Sequence, residues 1–414
     1  MPVLVLHHTF RRMSEITASV RVVPTSGEFR QGWPVVLACF CTATFAWGFG
    51  FYGLSVYFAD LHATRGWPAS LIASATTLYY LVGGLLLLWI HRAFARLGPR
   101  LLLVGGAMIL GVGAIGLMRA RLPWELYVWA IVMATGWAAT TTTAIAMTLA
   151  LWFEDRRGLA LSLALNGASA GGFTVAPLLA RLARHFGLGQ AVSLLAMLSL
   201  ALLLPILILG IRNPPTISTD RPALAGQWAA LRSRRVWSVA LPFALALAAQ
   251  VGFIVHQMAF LLPHLGTAGA ANAVAATAFA AAAGRLAMAP LIDRINQRIA
   301  SAASFTIQAV GLGLMLAMPD QSAALYAGSV MFGLSVGNVI TLPALIVQRE
   351  FDAASFGRVI GVVSMVGYTT LAFGPTLLGL AHDIAGSYAA AVALCIVLQI
   401  AAALMVLLGQ LRHG

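Results

Sequence analysis

Residues 69–118 read ASLIASATTLYYLVGGLLLLWI, then HRAFARLGPR, then LLLVGGAMILGVGAIGLM, and this stretch decides the fold. Its first 22 residues carry no charge, and as helix they extend about 33 Å at about 1.5 Å per residue. The hydrocarbon core of a bilayer is about 30 Å thick, so the segment is long enough to cross it. A turn holding Arg92, Arg96 and Arg100 follows, and then a second apolar run returns across. Both runs are apolar on every face and contain Gly, which membrane helices tolerate. Neither shows the strict alternation of a barrel strand.

The same pattern recurs along all 414 residues. The spans it predicts are 35–59, 69–90, 101–118, 124–149, 158–182, 189–211, 236–262, 270–292, 299–317, 322–347, 358–381 and 387–410. Apolar residues make up 60% of the chain and charged residues 9%. A soluble domain carries about 25% charged residues, so this composition needs lipid for a solvent. The expected fold class is an all-α membrane protein of twelve transmembrane helices.

The net charge of +13 comes from Arg alone, since the chain contains no Lys. Apart from Arg285, which falls inside a span, 24 Arg remain, and only Arg65, Arg119, Arg121, Arg181 and Arg184 fall outside the tail, the even-numbered loops and the C-terminus. The positive-inside rule then places both termini in the cytoplasm of a multi-pass cell-membrane protein. The basic charge is a topology signal and not a nucleic-acid footprint; its expected partner is the anionic inner leaflet. Cys39, Cys41 and Cys395 all lie in spans and suggest neither disulfides nor a metal site. The first 30 residues are polar, lack a signal-peptide core, and read as a loosely ordered tail.

One offset relates the two halves of the chain. Ala95-Arg96 after span 2 and Asp293-Arg294 after span 8 are 198 residues apart, as are Phe153 and Phe351, and Pro177 and Pro375. A duplicated six-helix unit accounts for all three pairs. The expected organisation is a tail at 1–34, a bundle at 35–211, a Pro- and Arg-rich linker at 212–235, a second bundle at 236–411 and a C-terminus at 412–414. Two such halves about an axis along the membrane normal form the major facilitator arrangement, with substrate bound near the midplane between them.

Arg285 is the most informative single residue. It stands eight residues before Asp293 at the cytoplasmic end of span 8, about 12 Å deep. An Arg there costs about 2.5–3.5 kcal/mol on insertion scales unless it meets water or a partner. Its planar fork suits a carboxylate, and no span offers an acid at that depth. A substrate carboxylate is one partner; a structural ion pair or a snorkelling side chain is the alternative. His256, between Gln250 and Gln257 in span 7, is a candidate for substrate binding and proton coupling, against a neutral His bonded in place. Tyr52, Asn338 and Tyr368 are candidate hydrogen-bonding groups, and the Thr140–Thr143 run is expected to bond back to its own helix.

The run from Trp152 to Gly167, WFEDRRGLALSLALNG, resembles the signature of the monocarboxylate transporters within the major facilitator superfamily. Phe153, Arg156, Arg157, Leu159, Ala160, Ala164 and Gly167 match it, whereas Trp152, Asp155, Ser162 and Asn166 depart. The oxalate–formate exchangers belong to the same group. The resemblance also implies a functional Arg in span 8, matched here by Arg285, and a cytoplasmic gating motif. That motif is matched by Asp293 and Arg294, and in the first half by Arg96 and Arg100 without the acid, since Ala95 stands in its place. The family's acidic partner one turn before the span-8 Arg is Ala281 here, and its span-1 Lys has no counterpart in Phe49–Gly53.

Together these readings predict a secondary transporter of a small organic anion, a monocarboxylate held by Arg285, with a proton as a candidate coupled ion. No phosphate-cradling loop, metal cluster or nucleophile–base pair points to an enzyme or a cofactor. The alternatives are an exporter of amphipathic metabolites or drugs and a ligand sensor that does not transport.

Overall fold

A computed structural model describes residues 28–67, 69–212 and 230–411; the tail at 1–27, positions 213–229 of the linker and the C-terminal 412–414 lie outside the described residues. Twelve spans appear, with no strand among the described residues. Span 1 comprises Glu28–Trp47, a π-helical turn Gly48–Tyr52, and Gly53–Arg65. Spans 2 and 3 share the helical tract Ala69–Arg119, turned at Gly98. Span 4 is Pro123–Thr140 plus Thr142–Ala150, span 5 Arg157–Phe186 and span 6 Leu188–Gly210. Spans 7 and 8 share Arg234–Met288, turned at Gly266. Spans 9 to 12 are Gln297–Ala317, Ser322–Glu350, Ala353–Ala385 and Tyr388–Leu411.

The duplication is visible in the backbone. Gly66 and Gly266 (both φ 65°) reverse the chain between the first two spans of each half, a conformation that costs a residue with a Cβ. Within each half the helices touch through small residues, as membrane helices do where no water drives them together. A Cβ on Gly167 would run into the Phe40 carbonyl of span 1, one on Gly136 into the Leu110 amide of span 3, and one on Gly284 into the Leu334 carbonyl of span 10. Spans 6 and 12 leave Leu202, Leu209, Val397 and Leu404 exposed, the surface a lipid-facing helix presents.

Two boundaries differ from the sequence expectation for a physical reason. Span 1 begins at Glu28, so residues 28–34 are helical and not loose tail. The Glu28 carboxylate accepts the backbone N–H groups of Glu154 (3.0 Å), Asp155 (3.2 Å) and Arg156 (3.2 Å), which pins the helix start to the loop between spans 4 and 5. Span 4 is not continuous: Thr141 is extended (φ −73°, ψ −179°) and interrupts it. Thr140 Oγ1 bonds back to Gly136 (2.9 Å), as expected of the hydroxyl run, but Thr143 Oγ1 instead donates across the halves to Ser364 Oγ (2.8 Å). Threonine hydroxyls of this kind satisfy groups that a broken membrane helix frees.

Candidate functional site: a cavity between the two bundles

A cavity of about 280 Å³ lies between the halves, with residues of both in its wall. The two sides differ in chemistry. Span 1 contributes Trp47, Phe51 and Tyr52, span 4 Trp137 and span 5 Phe173, so the first half presents an aromatic wall. The second half presents Gln250 and Gln257 from span 7 and Thr277 and Arg285 from span 8, with the rings of Phe243 and Tyr368, while Thr142 and Ser169 add hydroxyls from the first half. Arg285 is the charged residue of the described lining.

Arg285 is only 2% exposed. Its Nη1 donates to the Leu165 carbonyl of span 5 at 2.6 Å, across the interface, and its Nε to the Gly337 carbonyl of span 10 at 3.3 Å. Gly337 is required there, because a Cβ would sit 2.8 Å from Arg285 Nε. Carbonyl partners satisfy donors but carry no charge, so the guanidinium keeps its full positive charge in an apolar surround. No acceptor among the described residues takes its Nη2 donors.

The other predicted site residues divide. Tyr52 and Tyr368 are in the wall with Arg285; His256 and Asn338 are not. Helical phase is the reason. At about 100° per residue, Gln250 and Gln257 share a face of span 7, whereas His256 is turned about 100° away from Gln257. Its Nε2 lies 3.0 Å from the Pro375 carbonyl, and its ring packs 5.7 Å from that of Tyr388, between spans 11 and 12. Because a carbonyl only accepts, that nitrogen carries the hydrogen. Asn338 donates to Leu334 of its own helix (3.4 Å), while Val336, Ile340 and Pro343 form the cavity face of span 10.

At the Arg-rich end the halves are fastened. Asp293 Oδ1 accepts the Gly158 N–H at 2.7 Å and Oδ2 the Leu159 N–H at 3.0 Å, so a carboxylate of the second half caps span 5 of the first. Burial holds the Asp293 carboxyl above its ordinary range, an effect the two N–H bonds offset only in part. Arg157 closes the same loop through the Phe153 carbonyl (2.6 Å), and Arg100 ties span 3 to the Ile211 carbonyl (2.7 Å). Arg96, Arg156 and Arg294 are exposed. The pseudo-equivalent of Asp293 is Ala95, which has no acceptor, so the closure is one-sided; there Gly357 packs against His91. Among the described residues no hydrogen bond joins the halves at the opposite end.

If the trans cap holds this end shut, Asp293→Ala weakens closure by about 0.5–2 kcal/mol, the range for losing a helix cap. A cysteine placed at Ser169 in the cavity wall then reacts several-fold faster with an impermeant thiol reagent added at the Arg-rich side. Unchanged labelling from that side would assign the bond no closing role.

Sequence reasoning overlooked Gln250 as a wall residue and also missed a buried ion pair. Arg298, 3% exposed, meets Glu350 through Nε–Oε1 (2.6 Å) and Nη2–Oε2 (2.8 Å), and its Nη1 donates to the carbonyls of Ser238 (3.2 Å) and Val406 (3.1 Å). The pair clamps spans 7, 9, 10 and 12 away from the cavity.

Two like bundles enclosing a cavity at their junction define a membrane carrier. The chain belongs to the major facilitator superfamily, whose sequence model matches residues 39–270. It is similar to monocarboxylate transporter 13 of Rattus norvegicus, 26% identical over 384 residues covering 89% of this chain and 86% of the relative. Monocarboxylate transporter 11 of Homo sapiens is 28% identical over 386 residues, 87% of this chain and 79% of the relative. The fold is shared with the human organic anion transporter MFSD10 (TM-score 0.71, 14% identity, 91% of this chain and 99% of that one). It is shared also with FucP in its outward conformation (TM-score 0.65, 16% identity, 90% and 98%). The protein is therefore a multi-pass membrane transporter and not an enzyme.

Proposed function

We propose that this protein is a secondary active transporter of a small organic anion, a monocarboxylate, in the cell membrane with both termini cytoplasmic. The two bundles alternate access to the cavity, and Arg285 binds the carboxylate. The observation that carries this reading is a buried guanidinium in the cavity wall bonded to two carbonyls and to no acid. A charge taken out of water is costly until a counter-charge arrives, and a carboxylate supplies both the charge and the acceptors that the fork fits. One cation neutralises one carboxylate, which disfavours dicarboxylates. The names of the monocarboxylate relatives support the same class. No Asp, Glu or His is among the described lining residues, so in this reading the wall supplies a counter-charge for the carboxylate and no acidic or imidazole group beside it.

The aromatic wall also suits an apolar compound that ignores Arg285, the exporter reading. A thermal-shift screen of purified protein against monocarboxylates, dicarboxylates and apolar drugs separates the two. A ligand at 100 times its dissociation constant stabilises by about 2.7 kcal/mol, and the expected stabilising set is the monocarboxylates. Stabilisation by apolar drugs alone would favour export.

A further inference from the structure

Gln250 is a cavity-wall residue whose orientation the protein fixes from behind. Its Oε1 accepts from Gln308 Nε2 at 2.8 Å, Gln308 Oε1 accepts from Gln399 Nε2 at 2.6 Å, and Gln399 Nε2 also donates to the Ala246 carbonyl at 3.2 Å. All three glutamines are buried, at 2%, 0% and 0% exposure. The Ala246 carbonyl sets the direction of the whole relay, because it can only accept. Gln399 must turn its nitrogen toward it, Gln308 must then offer its oxygen to Gln399, and Gln250 must offer its oxygen to Gln308. The Gln250 nitrogen is left over. No acceptor among the described residues takes it, and it belongs to a side chain in the cavity wall.

Gln250 lies sixteen residues before the Gly266 turn and Arg285 nineteen after it. At about 1.5 Å per residue the two lie within about 5 Å of the same depth. The second half therefore offers two sets of unused donors at one level, a charged fork and a neutral amide, facing the aromatic wall of the first half. A simple short-chain acid would leave both the amide and the aromatic wall unused.

We infer that the preferred substrate is an aromatic monocarboxylate with a second acceptor oxygen beside the carboxylate, an aryl 2-oxo acid being the simplest case, and that Gln250 reads that oxygen. This rests on the carboxylate role of Arg285 and adds a specificity-determining residue to it. Gln308 is a positioning residue: it keeps the Gln250 donor turned into the cavity and never touches the substrate.

The test compares phenylpyruvate with 3-phenylpropionate, the same skeleton without the oxo oxygen, by binding to purified protein and by uptake into proteoliposomes. Wild-type protein is expected to prefer phenylpyruvate by about tenfold, the worth of one well-placed hydrogen bond at the upper end of its range. Gln250→Leu removes that preference, bringing the affinity for phenylpyruvate down to that for 3-phenylpropionate. Gln308→Leu lowers the preference in the same way, which a merely structural role would not do selectively. Equal affinity of the two acids in the wild type, which needs no variant to establish, overturns the inference. So does a preference that survives in Gln250→Leu. Binding of both acids that needs Arg285 but ignores the oxo oxygen sinks the role of Gln250 alone. Binding of both that persists in Arg285→Gln sinks the carboxylate reading and the inference with it.

Discussion

Arg285→Gln eliminates saturable uptake of monocarboxylates while the protein still inserts and folds. Glutamine can replace one of the guanidinium's carbonyl contacts but supplies no charge, so an arriving carboxylate would be buried unpaired. Removing one partner of a buried charge pair costs about 2–5 kcal/mol in binding, a loss of roughly thirtyfold to several thousandfold. Arg285→Lys keeps the charge without the planar fork and is expected to retain weak uptake. Stability should move the other way from function. In the empty protein the guanidinium is an uncompensated buried cation, so the melting temperature of unliganded Arg285→Gln is expected to hold or rise. The measurement is initial uptake rate in proteoliposomes, with monodispersity and thermal denaturation as controls. Normal uptake by Arg285→Gln would remove the site assignment; a large fall in stability would make the residue structural.

Glu350→Ala is expected to have the opposite profile, a large loss of stability without a direct loss of substrate recognition. Arg298 holds Glu350 by two parallel bonds of 2.6 and 2.8 Å and is itself 3% exposed. Deleting the carboxylate strands the guanidinium among the carbonyls of Ser238 and Val406, and breaking a buried pair in this way costs about 3–5 kcal/mol. Replacing both members with apolar residues of similar volume restores much of the loss, because the pair's net worth is far smaller than the penalty of breaking it. Thermal denaturation of the single and double variants checks this. A single variant as stable as the wild type would show that the pair is solvated. The two arginines thus differ in partner and not in burial: one has an acid and clamps four helices, the other has none.

The twelve helices and their pairing into halves were legible because lipid imposes a requirement on every residue of a span, so the signal accumulates over some twenty positions. Single side chains carry no such redundancy. Arg285 could be found because a charge in an apolar run is conspicuous. Arg298 could not, since it precedes its span by one residue and reads as one more topological arginine. His256 drew attention through its chemistry, yet helical phase turns it toward Pro375 and gives the cavity to its neighbours Gln250 and Gln257. The polarity of the glutamine relay is invisible in one dimension, because it is set by a carbonyl of span 7 meeting side chains from spans 9 and 12. The break at Thr141 likewise depends on partners, with Thr143 bonded to Ser364 across the halves.

The solitary cation has an electrical consequence. In the proposed mechanism the region that switches sides holds one positive charge when unloaded and none when loaded with a carboxylate. One elementary charge moved through 100 mV is worth about 2.3 kcal/mol, so a membrane voltage acts on the return of the vacant carrier far more than on the occupied step. An inside-negative potential draws the vacant form to face inward, and the resting voltage of the cell becomes part of what decides which way cargo is collected.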